Sequence, residues 1–160
     1  MIPTTSAEGL AIVARSLTIN NRKTSERTPW VPYREQLRLW ELLEEHRALL
    51  IAKPRKTGIS TACELADLAW TYNADCRRAQ VRTVFAIDED DKAGEHLDTF
   101  ADFADQLGLP GHHVKRSKGD YQVRFRQGSR IDCITAGGNN PGRGGNINRL
   151  HVTELPYWQR

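Results

Sequence analysis

The strongest hydrophobic periodicities lie in the middle of the chain. Trp30-Val31-Pro32-Tyr33 leads into residues 34–46, where Leu37, Trp40 and Leu43 give one apolar face and predict a helix. Ile59, Cys63, Ala66 and Trp70 fall at i, i+4, i+7 and i+11, the stripe of a second helix. Ala93, Leu97, Phe100, Ala104 and Leu107 repeat at four and three and predict a third, ended by Leu109-Pro110-Gly111. The acidic run Asp88-Glu89-Asp90-Asp91 precedes it. Asp88 or Asp90 is expected to cap that helix, and the acids suit its positive end.

Between these stripes the pattern changes. Ala48 to Ala52 is a continuous apolar run that reads as a buried strand, and Val81 to Ile87 reads as another. Gln122–Arg126 and Arg130–Thr135 alternate and are joined at Gln127-Gly128-Ser129, the signature of a hairpin. A glycine-rich loop, Gly137 to Gly145, leads to a last run, Asn148 to Glu154. The order β-α-β-α-β-β-β predicts an α/β domain with helices covering a largely parallel sheet. Residues 1–29 are poor in apolar positions outside Leu10–Val13, and Asn20–Thr28 is polar throughout. They read as an N-terminal arm and linker before a domain at 30–160.

Composition narrows the picture a little. The chain has 160 residues, 39% hydrophobic and 27% charged, enough for one domain with a core. Its net charge of +3 permits a nucleic-acid partner without requiring one. Cys63, Cys76 and Cys133 are scattered in no metal-ligand spacing, which suggests reduced thiols in a cytosol. No signal peptide and no apolar run near 18 residues is present, so nothing points to membrane or export. His112, His113 and His151 have no ligand partners at useful spacing. The four tryptophans read as packing residues, and Arg124, Arg126 and Arg130 as a solvated face, with contact to a DNA backbone as the alternative.

The chemistry concentrates at residues 48–61. An apolar run, a basic turn from Lys53 to Thr57, and then Gly58, Ile59, Ser60 and Thr61 opening a helix make the layout of a phosphate-binding P-loop. Against G-x-x-x-x-G-K-[ST], Lys53 stands at the first glycine and Ile59 at the lysine. The lysine is displaced to the start of the loop, from which its four-carbon stem could bring the same ammonium to the phosphates from the other side. Ser60 keeps the hydroxyl that would hold Mg²⁺. The last run ends on Glu154, suited to water-positioning or general-base work in phosphoryl transfer, with Thr153 where an Asp would support the metal.

Four segments in order, Tyr33-Arg34-Glu35-Gln36, Lys53–Thr61, Pro141–Gly145 and His151–Trp158, resemble the large terminase subunit of tailed bacteriophages. That family is the ATP-driven motor that packages viral genomes into proheads. The resemblance covers 33–158. It implies a P-loop NTPase-like fold, an ATPase using ATP and Mg²⁺, and a nucleotide site of Tyr33, Gln36, Lys53, Pro54, Arg55, Lys56, Thr57, Gly58, Ile59, Ser60 and Thr61. Lys53 would contact the β/γ-phosphates and Ser60 would ligate Mg²⁺. Tyr33 and Gln36 would recognise adenine. Arg55 and Glu154 would act in catalysis, and Arg143 would lie in an Arg-Gly element near phosphate. Lys56 stands where glutamine is frequent, and Thr153 where Asp is commoner.

Family members continue past this point into a coupling motif, further core strands and a nuclease domain. The resemblance therefore implies an ATPase part incomplete at its C-terminus, with the nuclease domain absent. It implies double-stranded DNA, the small terminase subunit and the portal as partners, a ring homo-oligomer in the full-length form, and the host cytoplasm as the place of work. The alternatives are a helicase-like nucleic-acid translocase fragment, or a non-catalytic remnant that binds DNA or a partner.

Overall fold

The computed structural model describes residues 5–20, 26–54, 57–117, 120–135 and 145–153. Helix α1 (Ala7–Arg15) starts where the Ser6 hydroxyl accepts from the Gly9 N–H at 3.1 Å, an N-cap that satisfies an otherwise orphaned donor. Leu10, Val13, Ala14 and Leu17 are buried at i, i+3, i+4 and i+7, so this helix contributes to the core. Two three-residue strands, β1 (Thr18–Asn20) and β2 (Arg27–Pro29), then pair antiparallel. Trp30 follows, fully buried, edge-on to Trp40 at 6.0 Å and stacked on Phe103 at 5.7 Å.

The three helices expected from periodicity form as α2 (Arg34–Glu45), α3 (Ile59–Cys76) and α4 (Asp90–Gln106). Helix α3 is buried on nearly every side because it lies among α1, α2, α4 and the sheet. It ends with Arg78 at φ 58°, where Ala79 N donates to Ala74 O and Arg78 N to Asp75 O, a Schellman closure. Helix α4 stops the same way one turn before the expected breaker. Gly108 takes φ 57° and Leu109 N returns to Ala104 O. Its N-cap is Glu89, whose side chain makes no capping bond. Asp88, expected as a cap, is drawn instead to Lys92 Nζ at 3.0 Å, one turn along.

The sheet has the order β4-β5-β6-β3-β7. Its centre is β3 (Arg82–Ile87), buried throughout, with β6 (Arg130–Thr135) and β7 (Arg149–Val152) parallel on its two sides. Strands β4 (His113–Ser117) and β5 (Asp120–Arg124) extend it antiparallel beyond β6. The sheet is therefore mixed, not largely parallel. Connections as short as Phe125–Ser129 can join only antiparallel neighbours, whereas β3 reaches β6 and β7 through long excursions.

Thr83 and Phe85 share one face of β3. Thr83 bonds Thr71 of α3 at 2.6 Å, and Phe85 meets Phe100 of α4 with centroids 5.6 Å apart. Both helices thus lie on one side of the sheet. Since Thr71 meets Thr83 while Asp67 meets His151, α3 runs antiparallel to β3 and β7. Its N-terminus points toward the edge where those parallel strands end.

The run Ala48–Ala52, expected as a buried strand, is irregular and largely exposed, with Leu50 at 95% and Ile51 at 41%. Only Leu49 leans on the core. A strand without alternation needs cover on both faces and a paired neighbour. Both sides of β3 are already taken, and no described strand pairs with the outer edge of β7.

Candidate functional site

Gly58, the N-cap of α3, adopts a left-handed conformation at φ 69°, ψ 11°. A Cβ there would lie 2.6 Å from Gln36 Nε2, so the position excludes side chains by conformation and by space. Gln36 is 2% exposed. Its Nε2 donates to Gly58 O at 2.9 Å, and its Oε1 accepts from Tyr33 N at 2.9 Å and Trp30 Nε1 at 3.2 Å. The Tyr33–Gln36 turn and the start of α3, 22 residues apart in the chain, are therefore joined directly.

By helix geometry the N–H groups of Ile59, Ser60 and Thr61 have no intrahelical acceptor, and the first turn of α3 holds no acidic side chain. That end carries the positive pole of an 18-residue helix. Ile59 is buried in the core, so the position where a P-loop usually holds its lysine is a packing anchor here. Ser60 and Thr61 are half-buried, and Thr57 Oγ1 donates to Pro54 O at 3.3 Å. Lys53 is exposed, as is Tyr33 at 65%. Thr153 is buried just past β7 and donates its N–H to Ala86 O, at the same edge of the sheet toward which α3 points. Arg55, Lys56, Arg143 and Glu154 lie outside the described residues.

Behind the loop is a polar cluster that periodicity does not reveal. Asp67 of α3 accepts from Arg149 Nε at 2.5 Å and bonds His151 Nδ1 at 3.1 Å, both on β7. Glu64, one turn earlier, pairs with His96 of α4. Phe85 lies between the two imidazoles, 4.7 Å from His96 and 4.2 Å from His151. Burial pushes the Glu64 carboxyl above its usual range, against the pull of His96. Burial would raise Asp67 too, but His151 and Arg149 hold it below the ordinary carboxylate value. Burial by itself lowers His151; the Asp67 carboxylate and the Cys63 sulfur reverse this and bring it to about 10. His151 is thus an imidazolium at neutral pH, and the cluster ties β7 to α3 through paired charges.

Glu64 and Asp67 sit beside the apolar stripe of α3, where a sequence reading places acids in water. Their partners are 32 and 84 residues away, so only tertiary structure discloses the pairs. Among the described residues no group of three or more His, Cys, Asp or Glu could hold a metal ion, and the three cysteines are free thiols. No helix among them is long and apolar enough to cross a membrane. No protein-family model matches the chain, and no curated protein or solved structure is significantly similar to it.

Proposed function

We propose that the chain is a nucleotide-binding ATPase part of a motor like the phage large terminase subunit, working on double-stranded DNA in the host cytoplasm. The observation that carries this reading is the Gln36–Gly58 bond. It couples the Tyr33–Gln36 turn to the N-terminus of α3, so two of the four motif segments are in contact.

The chemistry present suits a polyphosphate. Helix N–H groups without an intrahelical acceptor and the α3 dipole favour anionic oxygens, and the exposed Lys53 adds an ammonium. Ser60 would offer a hydroxyl ligand to Mg²⁺, which would supply charge neutralisation at the phosphates. Because the Gln36 amide is committed to three protein groups, adenine contact falls mainly to the exposed Tyr33 ring, and Gln36 acts by fixing the loop. Glu154 orients water, and Arg55 and Arg143 supply charge against the γ-phosphate.

A second reading, a non-catalytic chain that binds a partner, draws on the exposed Leu50 and Ile51. The segment that would aim the loop does not sit in the sheet. Titrating Mg–ATP into the chain and into Lys53→Ala and Lys56→Ala separates the two. Binding that the Lys53 change weakens and the Lys56 change spares supports the nucleotide site. Loss through Lys56 alone moves the phosphate lysine, and absence of millimolar binding in the parent chain overturns the ATPase reading.

A further inference from the structure

The sheet face turned away from α3 and α4 has no role in the nucleotide site. Strand register aligns His113 with Arg124, Arg124 with Arg130, and Arg130 with Arg82, one basic residue on each of four adjacent strands. At about 4.8 Å between strands, the row spans about 14 Å. The next row toward the strand ends aligns Lys115, Gln122 and Asp132. His113, Lys115 and Arg124 are exposed, and the Arg130 side chain is 32% exposed. Arg82 is buried and bonds Asp132 Oδ2 at 2.5 Å, with Arg130 3.2 Å from the same carboxylate. Lys115 pairs with Asp120, and Arg124 Nε donates to Gln122 Oε1 at 2.7 Å. Four permanent cations thus face two carboxylates, and Arg124 has no carboxylate partner among the described residues.

On the other side of the sheet, helices α2 and α4 are acidic on balance, with exposed Glu41, Glu44 and Glu45 on α2 and Glu95 and Asp105 on α4 against exposed Arg34 and Arg38. Exposed Arg15, Arg47, Arg77 and Arg78 stand near helix ends, so the contrast is between the basic sheet face and these two helices. Such an asymmetry orients a polyanion toward one surface. The aromatic residues of β5 and its turn, Tyr121 and Phe125, pack inward on the core. Among the described residues no Phe, Tyr or Trp stands on the basic face and His113 is its one ring, so it offers no row of platforms for unstacked bases. It offers positive charge in a row, which suits the regular phosphates of a double helix.

We infer that this face, through Lys115, Arg124 and Arg130, binds the phosphate backbone of duplex DNA without reading its sequence. The inference deepens the proposed reading of a motor on double-stranded DNA, on which its choice of partner rests, and it is tested without nucleotide, so failed duplex binding is distinguished from failed Mg–ATP binding. The probe is a labelled duplex of mixed sequence, with a single strand of equal length beside it, titrated against the full chain over a range of salt. Duplex binding is expected, with log Kobs falling against log salt by about 0.9 for each phosphate neutralised. Lys115→Gln with Arg124→Gln should weaken binding to every duplex alike and flatten that slope by about 2. Arg124→Lys, which keeps the charge, should retain binding. Arg38→Ala, on the helical side, should change nothing.

Circular dichroism is to be recorded for each variant as the check on folding. Should the double variant be unfolded, Arg124→Glu alone serves in its place, since Arg124 is exposed and its loss removes only the bond to Gln122. Unchanged duplex binding in the folded charge variants overturns the assignment. So does equal weakening by Arg38→Ala, or preference for the single strand.

Discussion

Asp67 Oδ2 lies 3.1 Å from His151 Nδ1, a pairing that joins the first long helix of the chain to its last described strand. The partners shift in opposite directions, the carboxylate downward and the imidazole up to about 10, as a mutually stabilising ion pair requires.

This sets a pH dependence. A histidine whose folded pKa exceeds its unfolded value near 6.5 binds its proton more tightly in the native state. Its contribution is therefore complete below about pH 6.5 and is lost as pH rises toward 10, with a slope of up to about 1.4 kcal/mol per pH unit. Denaturant melts between pH 6 and 10 should fall in the parent chain and be flatter in His151→Gln. Imidazole chemical shifts should report His151 as protonated at pH 8.

Gly58→Ala should lower stability by about 2–3 kcal/mol, combining left-handed strain with a clash against Gln36. In a Gln36→Ala background the clash is gone, and the same change should cost only about 1 kcal/mol. Equal costs in the two backgrounds would show that the two residues do not touch.

Asp75 closes the β5–β6 connection from across the molecule. Its carboxylate accepts from Gln127 N at 3.1 Å and Ser129 N at 3.0 Å while being 4% exposed. Asp75→Ala strands both donors and should destabilise by about 2–3 kcal/mol. Asp75→Asn, which keeps one oxygen, should recover part of the loss. Chemical denaturation of the three proteins measures it.

Glu154→Gln tests the proposed water-positioning role. The amide keeps the size but cannot take a proton, so Mg–ATP affinity should hold within about twofold while hydrolysis falls by about 10²–10⁴. Weakened Mg–ATP binding would make Glu154 a metal ligand, and no change in either would leave it a surface residue.

The sequence disclosed those elements whose pattern repeats several times. Leu97, Phe100 and Ala104 face one way over about two turns, and β3 is a run of buried residues at the sheet centre, so each could be read locally. Helix α1 is nine residues long and shows only Leu10–Val13 as a contiguous patch, too few turns for a period to stand out. Strand β4 was hidden because most of its side chains are exposed, and an edge strand needs no apolar alternation. Ala48–Ala52 misled for the opposite reason: apolar content predicts a strand, but only an available neighbour makes one. At the candidate site Gly58 and Gln36 were both legible as motif residues. Their bond was not, nor the burial of Glu64 and Asp67, because each depends on a partner distant in the chain.

The place of β7 in the sheet has a kinetic consequence. Strands β4, β5 and β6 pair across short turns, whereas β7 joins β3 through contacts such as Arg82 N to Asn148 Oδ1, 66 residues apart. Closing so long a loop is entropically slow, so the meander forms first and β7 docks late. An element added last and held at one edge also detaches first. Hydrogen exchange should find β7 opening at lower free energy than β3 or β6, with the Asp67 contacts setting that difference. The Thr153 side of the rim would then assemble and come apart with β7, while the Gln36–Gly58 side stays folded with α2 and α3.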